Sequence, residues 1–174
     1  MAEAGYTFDV VPAEVDESLP QGFSPEAAAV EVARRKAVAV AANVNNAIIL
    51  AADTIVVTPS GEVVGKPADE ADAKRMLRAL SDSTHRVITG VYVLDCDTGA
   101  SIGRAAVTKV VFGHMTDAQI EEYVSSGEAM GKAGAYAIQE TGDRFVKRVE
   151  GSFSNVVGLP MEAVSDILGA INRV

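Results

Sequence analysis

The sequence predicts an α/β protein with a mixed sheet and flanking helices, and three observations carry that expectation. Helical and strand-like patterns alternate along the 174 residues. Two hairpin signals lie next to each other between helical stretches, which argues against an all-parallel doubly wound sheet. No repeat, low-complexity tail or linker divides the chain, so residues 1–174 are expected to form one domain.

Taken in order, Tyr6 to Val11 has the composition of a short strand and is stopped by Pro12. Ser24-Pro25-Glu26 is a helix start, with a serine to cap the first turn and a proline where its missing N–H does no harm. The alanine-rich stretch 27–42 continues that helix. Ile48 to Val57 and Glu62 to Val64 form a hairpin closed through Thr58-Pro59-Ser60-Gly61. Ala73, Met76, Leu77 and Leu80 repeat at helical spacing within 69–81. Arg86 to Asp95 and Ala100 to Phe112 are β-like runs flanking a second turn, and Thr116 begins a helix running to Ser125. Tyr136–Gln139 and Phe145–Val149 are short apolar segments, Gly151–Pro160 has the look of a loop, and a last helix covers 159–171.

Composition restricts the function classes. The chain is 48% hydrophobic and 22% charged, as ordinary globular proteins are, and no apolar run approaches the ~20 residues that span a bilayer. A net charge of −9 argues against a generic nucleic-acid binder, which would be basic. The single cysteine, Cys96, cannot close an internal disulfide, and the N-terminus lacks the basic start and apolar core of a signal peptide. A cytoplasmic protein with neither nucleic-acid nor membrane partners is the expectation.

Asp53 follows five apolar residues, Ile48 to Ala52, so its carboxylate is expected at or near the end of a central strand, where ligand sites in α/β sheets concentrate. A turn-capping aspartate is the competing reading. Ile55 stands where a haloacid-dehalogenase nucleophile pair would need a second aspartate. Lys66 lies between Gly65 and Pro67, a setting that presents a long cation from an extended backbone; a solvated hairpin lysine is the alternative. In Gly131–Gln139 small residues precede an amide that both donates and accepts hydrogen bonds, which suits the edge of a base. His85 and His114 have no partners at zinc-ligand spacing, and the chain has no P-loop, dinucleotide fingerprint or nucleophile elbow.

Seven segments in order, "FDVVPAEVDE", "ARRKA", "AADTIVV", "GEVVGKP", "HRVITGV", "KAGAYAIQ" and "SNVVGLP", resemble the Maf family of nucleotide pyrophosphatases. The "KAGAYAIQ" form looks like the dTTP- and UTP-directed branch. The resemblance implies an elongated, two-lobed fold of the inosine-triphosphate-pyrophosphatase type with a central cleft. It implies hydrolysis of a nucleoside triphosphate to the monophosphate and pyrophosphate with Mg²⁺ or Mn²⁺. Position by position, it makes Asp53 the proton acceptor and puts Thr54 and Gln139 at positions of substrate choice. Lys36 and Lys66 become cleft cations, and Glu17 becomes the acid that closes the "VDE" motif. Glu17 and Asp53 together would suffice as magnesium ligands. Asp53 would orient water either directly or through the metal.

Family members also open with a strand and an S-x-S-P-R-R loop that clamps polyphosphate, and this sequence begins at Met1 without that run. The expectation is therefore an open sheet edge that favours association, including a homodimer, and weak hydrolysis. Arg34 and Arg35 are expected on the surface or the cleft rim. A different reading is a catalytically weak nucleotide-binding regulator linked to cell-division arrest. Pyrophosphate release separates the two.

Overall fold

The structure, a computed structural model, describes residues 1–171. Helix α1 (Pro25–Ala41) begins where the sequence places it, with the Ser24 hydroxyl accepting from the Ala27 amide. Strands β1 (Ile48–Val57) and β2 (Val63–Val64) form the first hairpin, and α2 (Glu70–Leu80) buries Ala73, Met76, Leu77 and Leu80. Strands β3 (Thr84–Asp95) and β4 (Ser101–Phe112) form the second hairpin, followed by α3 (Asp117–Ser125) and β5 (Val146–Glu150). The chain then forms α4 (Phe153–Val157) and α5 (Met161–Ile171).

The five strands make one sheet in the order β2-β1-β3-β4-β5. All four pairings are antiparallel, so the parallel component expected of a mixed sheet is not among the described strands. The α/β class with flanking helices stands. β1 and β3 pair along the whole of β1, from Ile48 opposite Asp95 to Val57 opposite Arg86. β2 covers only Val56 and Val57, which leaves the outer edge of β1 unpaired from 48 to 55 among the described residues.

Alternation along the strands assigns the two faces. Ile55, Val57 and Ile88 face α1 together with buried Ala29. The helix comes unusually close here because both surfaces are small. A Cβ on Gly90 would lie 2.2 Å from the Ala29 carbonyl carbon, and Ala28, Ala29, Ala33 and Ala37 are the buried face of α1. Alanine in this helix thus serves packing as well as helix propensity.

The other face carries two separate apolar clusters. Val56, Val87, Val110 and Phe112 pack with α2, α3 and the aromatic residues Tyr123, Tyr136 and Phe145 at one end. Val91 and Val93 pack with Val164, Ile167 and Ile171 of α5 at the other. A cleft opens between them.

Three local expectations are corrected. Tyr6–Val11 forms no strand and pairs with none of the described strands, and Phe8, Val10 and Val11 are exposed. Tyr136–Gln139 is not a strand either, since Gly134 and Ala135 take positive φ and turn the chain across the cleft. Gly151–Pro160 is no simple loop: Ser152 caps α4, whose turn is stopped by Gly158 at φ 115°, and the last helix starts two residues later than expected.

Candidate active site

The cleft has a volume of about 280 Å³ and is lined by Lys36, Asp53, Thr54, Lys66, Lys132, Tyr136 and Gln139, among others. Its floor is the unpaired side of β1. Asp53 and Thr54 are neighbours on that strand and so point to opposite faces, Asp53 toward α1 and Thr54 toward β3's inner residues, yet both border the open edge.

Asp53 is not at a strand end as expected. It sits mid-strand opposite Gly90, because the β-branched residues Ile55, Val56 and Val57 carry the strand onward. Its Oδ1 lies 2.7 Å from the Lys36 ammonium, which also contacts Glu17 Oε1 at 2.9 Å. Lys66 is exposed and reaches Glu17 Oε2 at 3.1 Å. The chain of charges therefore runs Asp53, Lys36, Glu17, Lys66. Lys36 gets there because Gly90 lets α1 settle directly on the sheet, and the lysine projects from that helix onto the neighbouring strand.

Burial pushes the Asp53 carboxyl above the usual aspartate value, and the hydrogen bond and charge of Lys36 offset this only in part. Burial also works against the Lys36 ammonium, but its bonds to Asp53 and Glu17 outweigh that and hold its pKa above the ordinary lysine value. Hydrogen bonds from Lys36 and then Lys66 hold Glu17 below the usual glutamate range.

Glu17 comes from an irregular segment, and Arg35 keeps it in place. The Arg35 guanidinium donates to the carbonyls of Asp16 and Ser18, 3.2 and 2.9 Å away, gripping the backbone on either side of Glu17. Arg34 pairs with Glu31 on the helix surface.

At the inner end, the Thr54 hydroxyl is 2.9 Å from that of Thr89. Gln139 is exposed on the opposite wall, and Lys132 contacts Glu140 at 3.5 Å. Tyr136 forms part of the same wall and is held from behind by His85, Nε2 to hydroxyl 2.9 Å, with Phe112 packed edge-on at 4.7 Å to both rings. Lys132, Tyr136, Thr89 and Asn155 were not singled out from sequence, and His85 was weighed only as a zinc ligand. The "HRVITGV" and "SNVVGLP" segments contain three of them, but a threonine in a strand and an asparagine in a loop carry no spacing signal of their own.

Cations and paired carboxylates at one end and neutral hydrogen-bonding groups at the other give this cleft the chemistry to hold a small anionic ligand with a neutral head. The family model for Maf-like proteins matches residues 1–171, and the chain belongs to that family. It is 50% identical over 164 residues to the dTTP/UTP pyrophosphatase of Syntrophomonas wolfei, covering 94% of this chain and 86% of the relative. It is 48% identical over 174 residues to the protein of the same name from Geobacter sulfurreducens, covering 98% and 91%. The corresponding Bdellovibrio bacteriovorus protein is 41% identical over 173 residues, covering 97% and 90%. No helix among the described residues is long and apolar enough to cross a membrane.

Proposed function

We propose that this chain is a nucleoside triphosphate pyrophosphatase acting on dTTP and UTP, with the triphosphate at the Lys36–Lys66 end of the cleft and the base against Thr54 and Gln139. The observation that carries the reading is the Lys36 ammonium held between Glu17 and Asp53 at the border of the cleft. A buried carboxylate beside a cation is suited to take a proton from water while the cation moves onto phosphate oxygens. In the reaction a water oxygen bonds to phosphorus at the α–β anhydride, that anhydride bond breaks, and pyrophosphate leaves. The water's proton goes to Asp53, whose raised pKa makes it the better base. Lys66 and Lys36 take up charge on the phosphates.

The donor set is compatible with a divalent metal brought in by the nucleotide. No group of three or more His, Cys, Asp or Glu side chains able to hold a metal occurs among the described residues. Magnesium needs only one or two carboxylates when phosphates and water complete its shell, and Asp53 and Glu17 meet that requirement. Mn²⁺ fits the same oxygen donors. When bound, the metal neutralises charge on the transferring phosphates.

The test is product identity. UTP and dTTP incubated with the protein and Mg²⁺ should yield monophosphate and pyrophosphate in equal amounts. Release of orthophosphate, or saturable nucleotide binding with no product, would overturn the proposal, the latter favouring a binding protein.

A further inference from the structure

The Thr54 hydroxyl borders the cleft, and what it offers a ligand depends on where its single proton goes. Its partners are the Thr89 hydroxyl at 2.9 Å and the Gly158 carbonyl at 3.4 Å. Thr89 is fully buried on β3, directly opposite Thr54, and its other partner among the described residues is the Asn155 carbonyl at 3.4 Å. The Asn155 side chain fixes that carbonyl in place. Its amide, with two protons to give, has three acceptors in reach, the Val87 carbonyl at 3.1 Å, the Ala106 carbonyl at 3.3 Å and the Thr108 hydroxyl at 3.0 Å, and so pins α4 to the sheet.

Two protons must be shared among two hydroxyl oxygens and two carbonyls that only accept. Either Thr54 donates to Thr89 and Thr89 to Asn155, or Thr89 donates to Thr54 and Thr54 to Gly158. Both leave Thr54 with no proton for the cleft. Sending the Thr54 proton outward either gives up the Thr54–Thr89 bond, with Thr89 donating to Asn155, or keeps that bond and leaves neither carbonyl a hydroxyl donor, the Asn155 carbonyl then retaining only the Gly158 N–H at 3.0 Å.

We infer that Thr89, held against Asn155 of α4, is a positioning residue that makes Thr54 an acceptor toward the ligand, so that the cleft selects a base carrying an N–H at that point. This rests on the pyrimidine nucleotide reading above. A uracil or thymine nucleotide has one ring N–H left to give, the imide at position 3, whereas cytosine presents a lone pair there. A mismatch sets two lone pairs against each other, the kind of contact on which hydrogen-bond readout discriminates.

The experiment measures equilibrium binding of the non-hydrolysable α,β-imido analogues of dUTP and dCTP. Wild type should favour the dUTP analogue by roughly tenfold or more, the worth of one hydrogen bond set against a repulsion. Thr89→Val keeps the shape but removes the 2.9 Å partner, leaving only the Gly158 carbonyl at 3.4 Å to compete with the ligand for the Thr54 proton, and the preference should shrink by roughly tenfold, while Thr89→Ser should retain it. Thr89→Cys, similar in size with a weak donor and acceptor, should behave like valine and covers the case in which Thr89→Val does not fold. A wild type without preference, or a Thr89→Val or Thr89→Cys preference equal to wild type, would overturn the inference. The pyrophosphatase reading fails separately, if discrimination in binding is present and UTP is not hydrolysed.

Discussion

One ammonium holds two acids: Lys36 Nζ lies 2.7 Å from Asp53 and 2.9 Å from Glu17. The arrangement keeps Asp53 occupied, and it gives an incoming triphosphate a cation that can change partners.

Replacing Lys36 by methionine should therefore act twice. Triphosphate binding loses a charge-assisted contact, and kcat/KM should fall by roughly 10- to 100-fold. The lysine's hydrogen bond and charge both lower the Asp53 pKa, so removing them raises it further. Asp53 must be ionised to act as a base, and the acid limb of the kcat/KM profile should move to higher pH. A pH–rate profile of Lys36→Met superimposing on wild type would show that the pair is not used in turnover.

His85 should make the protein acid-sensitive above the range in which carboxylates titrate. Burial depresses its pKa from 6.5 to about 4, and its Nδ1 has no partner among the described residues. The unfolded chain takes up a proton near pH 6.5 and the folded chain only near pH 4. Stability is therefore complete above 6.5 and declines as pH falls to 4, by up to about 3 kcal/mol. Urea unfolding of wild type and His85→Gln from pH 7 to 4 checks this. The glutamine variant can still bond Tyr136 and should lose less stability over that window; parallel curves would contradict the assignment.

Gly90 joins the fold to the site. A Cβ there would meet the Ala29 carbonyl carbon at 2.2 Å and the Val30 amide nitrogen at 2.3 Å, backbone atoms with nowhere to go. Gly90→Ala should push α1 off the sheet, cost about 3 kcal/mol or more, and draw Lys36 away from Asp53. Thermal unfolding measures the first effect. A melting temperature within a degree or two of wild type would mean that the helix yields easily.

Much of this was legible in the sequence, for reasons that can be named. Ser24-Pro25, the helical spacing of Ala73, Met76, Leu77 and Leu80, and the β-branched runs of β1, β3 and β4 each carry a local signal strong enough to place an element. Tyr6–Val11 has strand composition, but a strand exists only where another edge receives it. Helix α4 spans 5 residues, too few to show a helical period. Asp53 stood out by the apolar run before it, Lys36 and Glu17 were picked out through family resemblance, and the structure brings the three together. Their pairing was not legible: nothing in the spacing shows that the close approach of α1 over Gly90 brings Lys36 onto Asp53. Thr89 and His85 look like any other residues of a β-branched strand until their neighbours are known.

The central claim is that Asp53 is the base of a pyrophosphate-releasing reaction, and Asp53→Asn tests it most directly. Asparagine keeps the shape and can still accept a bond from Lys36, so the fold should persist, with circular dichroism and melting close to wild type. Turnover of UTP and dTTP, followed as pyrophosphate release with saturating Mg²⁺, should fall by about 10²- to 10⁴-fold, the usual worth of a general base. A folded Asp53→Asn protein releasing pyrophosphate at the wild-type rate would contradict the account.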